Sequence, residues 1–280
     1  MNRVPSDITR PRLVVSDVDG TLVDWNERVS PRTRAAVAAV VAAGVPFILA
    51  TGRPPRWVIP VVEQLGYAPP ITICGNGAVL YDSAADRVLS THSLEVGVLR
   101  TIADLAYKFL PGCGLAAERV GSSAHDTASV HFASTPDYEH AWLNPTHNPV
   151  PLDEVLDTPA TKLLIRVAGS TSQSMRDAML PHVAGLAEIT FSTNNGLIEL
   201  AVPGVSKGAA LARVAAGLGI APEDIVAFGD MPNDVSMLTL AGHAVAMGNA
   251  HASVGAVASE VTASNGEDGV AQVLERWWQP

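Results

Sequence analysis

The chain has 280 residues, 48% of them apolar and 16% charged, with a net charge of −10 and a pI near 5.2. That length can bury one large core or two ordinary ones, and the composition excludes a largely disordered chain. Lys and Arg form no cluster, so no nucleic-acid-binding surface is expected.

Residues 1–12 are polar, lack the apolar segment of a signal peptide and read as a loose tail. Leu13-Val14-Val15 is uncharged and β-branched, which predicts a buried strand. Asp17-Val18-Asp19-Gly20-Thr21 follows, so Asp17 falls where the strand ends. In open parallel α/β sheets that edge binds ligands. Two carboxylates this close repel unless a cation lies between them or one holds a proton. The alternative is a plain turn, where Asp and Gly are common. Ser30-Pro31 opens a helix, Ser as N-cap and Pro in the first helical position, and Gly44 closes it. Residues 46–50 form a second strand ending at Thr51-Gly52-Arg53. The uncharged stretch 35–50 is broken by Gly44 and Pro46 and falls short of the roughly 20 apolar residues of a membrane span. A helix over 56–65 and a strand over 71–74 come next, the latter ending at Gly75-Asn76-Gly77. Strands alternating with helices predict a parallel sheet.

The pattern then changes. Residues 81–193 hold helical stretches at 95–109 and 172–183 and strand candidates at 87–90, 129–132, 162–167 and 188–192. This reads as an α+β insert with its own core. After Leu197 the first pattern returns: a helix capped by Ser206 and reaching Gly217, a strand at 225–228 ending at Gly229-Asp230, a helix at 233–241, a strand at 244–247 and a last helix at 268–278. The expected fold class is α/β: a Rossmann-like parallel-sheet core from residues 1–82 and 193–280, interrupted by an α+β insert at 83–192.

Asp17, Thr51 and Asp230 each follow the carboxyl end of a predicted strand, so they share one edge of the sheet. Carboxylates converging there point to a hard cation. Mg²⁺ fits, because it favours few carboxylates, several waters and a phosphate oxygen. The stretch 229–234 is rich in turn formers but carries more acids than a turn needs. Lys207, one of three lysines, falls in the first turn of a predicted helix. There it opposes the helix dipole at a cost of a few tenths of a kcal/mol, roughly, and a bound phosphate would reverse that sign.

Other features read as structural. Gly112-Cys113-Gly114-Leu115-Ala116-Ala117 matches a dinucleotide fingerprint in letters, but it follows Pro111 rather than a strand and counts as a chance match. Cys74 and Cys113 form no paired motif, which fits a reducing cytoplasm, and Cys74 reads as packing. The histidines lack metal-ligand spacing. His125, His131, His140 and His147 cluster in the insert and read as structural, with substrate contact as the alternative. Trp277-Trp278 should seal the last helix against the sheet.

Together these residues resemble a known family. Asp-Val-Asp-Gly-Thr-Leu at 17–22, Ala-Thr-Gly-Arg at 50–53, Ser-Lys-Gly at 206–208 and Gly-Asp-Met-Pro-Asn-Asp at 229–234 are similar, in order and spacing, to the four motifs of the haloacid dehalogenase-like superfamily. Cys-Gly-Asn-Gly-Ala at 74–78 and Asn-Gly-Glu-Asp-Gly-Val-Ala at 265–271 resemble its Cof-type phosphatase subgroup, which carries a large cap after the third strand. The resemblance implies a Mg²⁺-dependent hydrolase of a small phosphorylated metabolite, a sugar phosphate or phosphorylated cofactor, working in the cytoplasm as a monomer or small homo-oligomer without nucleic acid or membrane. It implies Asp17 as nucleophile and Asp19 as acid/base. Thr51, Gly52, Lys207 and Asn233 would bind phosphate. Asp17, the backbone carbonyl of Asp19, and Asp230 would hold the metal, with Asp234, Arg53 and Asn76 in support. Met231, in place of the usual small residue, and Pro232 are a mild departure. A halide-releasing enzyme would need neither Asp19 nor the metal set. A sugar phosphomutase is the alternative activity; a non-catalytic binding protein would not require the whole set. The cap is expected to cover the site and choose the substrate, hinged near Asp82 and Asn194, with its histidines and Arg166 as candidate contacts.

Overall fold

A computed structural model describes residues 10–128, 130–140 and 149–279. Most of the expected tail, Ser129 of one strand candidate, and His147 lie outside the described residues. The elements in chain order are β1 (Leu13–Ser16), α1 (Pro31–Ala42), β2 (Phe47–Leu49), α2 (Pro55–Leu65), β3 (Thr72–Cys74), β4 (Val79–Asp82) and β5 (Arg87–Thr91). There follow α3 (Val96–Phe109), β6 (Gly114–Glu118), β7 (Phe132–Ser134), α4 (Leu152–Val155), β8 (Lys162–Arg166), α5 (Ser172–Val183), β9 (Glu188–Thr190) and β10 (Leu197–Ala201). The chain closes with α6 (Lys207–Leu218), β11 (Ile225–Gly229), α7 (Val235–Leu240), β12 (His243–Ala246), α8 (Ala252–Gly255), β13 (Glu260–Val261) and α9 (Gly269–Leu274).

The core sheet is parallel, in the order β13-β12-β11-β1-β2. β3 continues it through a bridge between Ala50 and Ile73, then turns back as the antiparallel meander β3-β4-β5. Strand residues alternate between two apolar layers. Val14, Phe47, Leu49, Val226 and Phe228 pack with Val37, Val40, Val58, Val270 and Trp278 on one side. Leu13, Val15, Ile48, Ile225 and Ala227 pack with Leu211, Val214, Met237 and Leu238 on the other. A parallel sheet covered on both faces needs such apolar strands, and each fully buried Val or Leu contributes about 1.5–3 kcal/mol. Trp278 seals the first layer as expected.

The second sheet is antiparallel, ordered β7-β6-β8-β10-β9. Helices α3 and α5 cover one face through Leu99, Ile102, Met175 and Met179 against Leu115, Leu163, Ile165, Ile198 and Leu200. The alternate residues Ala116, Phe132, Leu164 and Leu197 lie on the other face, with Tyr138 packed among them.

This moves the expected domain limits. β5 belongs with β4, and β10 belongs with β8 and β9. Asp82 ends β4, while Asn194 lies in the β9–β10 turn and accepts from the Gln173 amide. Neither expected hinge is a crossing point. The chain passes from one sheet to the other at residues 92–94 and returns at 202–206. The backbone pairing of β5 and β10 outweighs the composition change on which the limits at 82 and 193 rested. The stretch 112–117 is mostly strand β6, which leaves no strand-turn-helix for a dinucleotide. The strand expected at 129–132 sits later, at β7. The helix expected at 233–241 starts as a 3₁₀ turn, Pro232–Asp234, and the last helix ends at Leu274.

Candidate active site

Three motifs meet at the carboxyl ends of the parallel strands. Asp17 follows β1, its amide bonded to the Phe228 carbonyl at 3.0 Å. Thr51 follows β2, donating its amide to the Ile73 carbonyl at 2.8 Å and accepting the Arg53 amide on Oγ1 at 3.0 Å. Asp230 follows β11. Lys207 opens α6 just after its N-cap, Ser206, whose hydroxyl accepts the Ala209 amide. Far from being a solvated surface lysine, Lys207 is fully buried, with Nζ 2.6 Å from Asp17 and 2.5 Å from Asp234. Burial works against its charge, but the two carboxylates outweigh burial and raise its pKa.

The glycines of the motifs are sterically required at two points. Gly20 has φ +76°, and a Cβ there would collide with the Asp230 carboxylate. A Cβ at Gly229 would press into Asp234 at 2.6 Å. Asp234 is therefore clamped under the turn. One of its oxygens takes Lys207 and the other takes the Asp230 and Met231 amides at 2.9 and 3.0 Å.

Asp17, Asp230 and Asp234 bring carboxylate oxygens within 4.8 Å of one another. Burial, reinforced by Asp234, raises the Asp17 pKa well above the usual range and pushes Asp230 up to about 7. Lys207 offers one positive charge against three carboxylates, and hard oxygen donors in charge excess suit a divalent cation. Asp234 has both oxygens engaged, so Asp17 and Asp230 are the carboxylates fitted to hold it. Thr21 donates to Asp230 Oδ1 at 3.0 Å and steadies it. The Asp19 side chain stands apart from this cluster. It is half exposed and gripped by Arg53, with Nη2–Oδ1 at 2.6 Å and Nε–Oδ2 at 3.0 Å. Arg53 is held in turn by the Trp57 carbonyl.

A cleft of about 400 Å³ opens beside these groups. From the core it is lined by Asp17, Asp19, Gly52, Arg53, Met231 and Asn233, together with Arg56 and Trp57. From the second sheet come Glu118, Phe132, Lys162, Leu164 and Glu199. Glu118 and Lys162 are register partners on β6 and β8. Arg56 reaches Glu118 with contacts of 2.5 and 3.1 Å. Lys162 Nζ bridges Glu199, at 2.6 Å, and the Gly52 carbonyl, at 2.8 Å. Asn76 and Asn233 are both buried, and Asn233 reaches the wall of the cleft.

The sequence reading missed Arg56, Glu118, Lys162 and Glu199. A signal existed for two of them: charges bound the apolar strand residues of Lys-Leu-Leu-Ile-Arg, and one sits within Leu-Ile-Glu-Leu-Ala. Of the expected cap contacts among the described residues, His125, His131, His140 and Arg166 do not line this cleft. His125 pairs with Asp86, His131 binds the Asp126 carbonyl, and His140 packs on Phe132 and Tyr138. Arg166 is spent on the carbonyls of Glu139 and Asn195.

A parallel core with an acidic strand-edge site thus lies against a second, antiparallel sheet backed by helices. The chain belongs to the haloacid dehalogenase-like hydrolase family, whose pattern matches residues 14–274. Within it, the chain falls in the Cof-type phosphatase group. It is 28% identical over 273 residues to 5-amino-6-(5-phospho-D-ribitylamino)uracil phosphatase YitU of Bacillus subtilis, covering 96% of this chain and 98% of that protein. It is 29% identical over 272 residues to pyridoxal phosphate phosphatase YbhA of Escherichia coli, covering 94% and 97%. Among solved structures, a superfamily phosphatase from Bacteroides thetaiotaomicron superposes with a TM-score of 0.78 at 23% identity, covering 98% of each chain. A Streptococcus mutans protein does so with a TM-score of 0.80 at 19% identity, covering 95% and 98%; both likenesses concern the fold.

Proposed function

We propose that this chain hydrolyses a small phosphate monoester through a phosphoryl group carried on Asp17. The observation that carries the reading is the buried contact of Lys207 with both Asp17 and Asp234 at the strand edge, where Asp17 lines a cleft of about 400 Å³. In this reading Asp17 attacks phosphorus in line with the leaving oxygen. The Asp17–phosphorus bond forms as the ester P–O bond breaks, and Asp19 gives its proton to the departing alkoxide. Asp19 then takes a proton from water, whose oxygen attacks the same phosphorus and releases phosphate from Asp17. Phosphoryl transfer needs charge neutralisation and positioning above all. Lys207, the Thr51 hydroxyl and the Gly52 backbone supply those functions around the phosphoryl oxygens. Mg²⁺ held by Asp17, Asp230 and the Asp19 carbonyl would offset the charge of the phosphate dianion. In the resting site Arg53 holds the half-exposed Asp19 carboxylate at the edge of the cleft, and Asp19 leaves that ion pair to take up the proton it gives to the alkoxide.

The relatives' names, a pyridoxal phosphate phosphatase and a phosphoribitylaminouracil phosphatase, support a phosphorylated cofactor or sugar-like ester as substrate. Two free, buried cysteines fit a reducing compartment such as the cytoplasm. The test is a screen of phosphorylated metabolites with Mg²⁺, measuring inorganic phosphate. Release without a bisphosphate activator is expected. Phosphate returned to another position of the sugar, with none released, would instead mark a mutase.

A further inference from the structure

Asn76 sits between the two layers in a way the chemistry above does not use. It occupies the left-handed region, φ 56° and ψ 29°, within Gly75–Gly77, where Asn is among the few tolerated side chains. Its Nδ2 donates to Glu199 Oε2 on β10 at 2.9 Å. Its Oδ1 accepts from Asn233 Nδ2 at 3.0 Å. Gly52 leaves room for this amide, since a Cβ there would lie 3.2 Å from Asn76 Oδ1.

The order of donors along this chain is forced. An ionised carboxylate only accepts, so Glu199 fixes which end of the Asn76 amide faces it. Asn76 must then turn Oδ1 to Asn233, and Asn233 must answer with Nδ2. Asn233 Oδ1 is left buried and, among the described residues, without a partner. Such an orphan costs about 1–3 kcal/mol unless something fills it. Lys162 anchors the far end, holding Glu199 and the Gly52 carbonyl together. Both charges of that anchor are almost wholly removed from solvent.

We propose that Glu199 and Asn76 are positioning residues that report cap closure to the phosphate end of the cleft. With the second layer seated, the Glu199 carboxylate sets the Asn76 amide, and Asn76 sets the Asn233 amide beside the phosphoryl oxygens. When that layer lifts, both amides lose their fixed sense and the phosphate pocket loosens. The coupling rests on the phosphatase reading; the hydrogen-bond relay itself does not.

The test uses full-length protein carrying Glu199→Gln, Asn76→Asp, or both. The double variant exchanges donor and acceptor between the two positions at constant net charge. Its carboxylate at position 76 can still accept from Asn233. Its amide at position 199 can accept from Lys162 while donating to that carboxylate. In the ligand-free protein, NMR hydrogen exchange of the Asn233 side-chain amide should quicken in each single variant and slow again in the double. With Mg²⁺ and p-nitrophenyl phosphate, inhibition by inorganic phosphate should weaken about tenfold in each single variant and recover to within about threefold in the double. Unchanged amide exchange in both single variants, or a double variant showing the summed losses, would overturn the relay. Parent protein that neither hydrolyses the ester nor binds phosphate would overturn the phosphatase reading instead, with the exchange data still deciding the relay.

Discussion

At the scale of single residues, the acidic cluster carries opposite demands from folding and chemistry. Asp17 is buried beside two carboxylates, so Asp17→Asn removes a like charge while its Oδ1 still accepts from Lys207. An amide cannot form the acyl phosphate. We expect turnover of p-nitrophenyl phosphate to fall by about 10³-fold or more, with a melting temperature at or above the parent's. Calorimetry and steady-state kinetics on one preparation check both halves. Asp230 gives the pH counterpart. Burial first and Asp234 second raise its folded pKa from 3.8 to about 7. The folded state therefore holds this proton more tightly than the unfolded chain. Without metal, stability falls as pH rises from about 4 to about 7 and stays lower above that. With chelator at pH 8, Asp230→Asn should melt higher than the parent by the equivalent of a few kcal/mol at most, roughly, and the gap should narrow by pH 5. Added Mg²⁺ should stabilise the parent and not the variant. An unchanged gap across that pH range would show that Asp230 is not the titrating group. These residues were legible because each motif is contiguous and ends a strand. Glu118, Lys162 and Glu199 were not, because their use depends on which face of a strand they occupy.

At the scale of elements, the place of Lys207 depends on how closely α6 meets the turn after β3. Gly77 has φ +101°, and a Cβ there would collide with the Ser206 carbonyl at the N-cap of α6. Gly77→Ala should lower stability by about 1–3 kcal/mol through strain and displacement. It should also shift Lys207 and reduce activity toward p-nitrophenyl phosphate, which urea melts and kinetics together would show. Full activity alongside the expected loss of stability would mean that α6 keeps its place. The elements hardest to read from sequence were β6 and β10. Every residue of each is buried, so exposure gives no alternation to follow, and Gly-Leu-Ala-Ala-Glu carries little β propensity. The helices with clear caps, α1 with Ser30 and α6 with Ser206, fell where Ser-Pro and Ser-Lys placed them.

At the scale of the whole molecule, the cleft divides labour between two sheets. The core contributes Asp17, Asp19, Gly52 and Arg53, while Phe132 and Leu164 reach in from the second sheet. Phe132→Ala and Leu164→Ala should reorder preference among phosphorylated metabolites while changing turnover of p-nitrophenyl phosphate by less than about threefold. A ranking left intact by both would place selection elsewhere. The parallel core was legible as strands alternating with helices, whereas its limits were not. Pairing partners decide where β5 and β10 belong, and pairing leaves no mark in local composition. That same pairing has a consequence for how the chain is made. β1 lies between β2, which follows it closely, and β11, with Leu13 set against Ile225. The first catalytic strand leaves the ribosome long before its second neighbour exists. The second sheet and its helices, by contrast, run without interruption from α3 to β10. Synthesis thus completes the covering layer first and must keep the apolar edge of β1 waiting until the last third of the chain arrives.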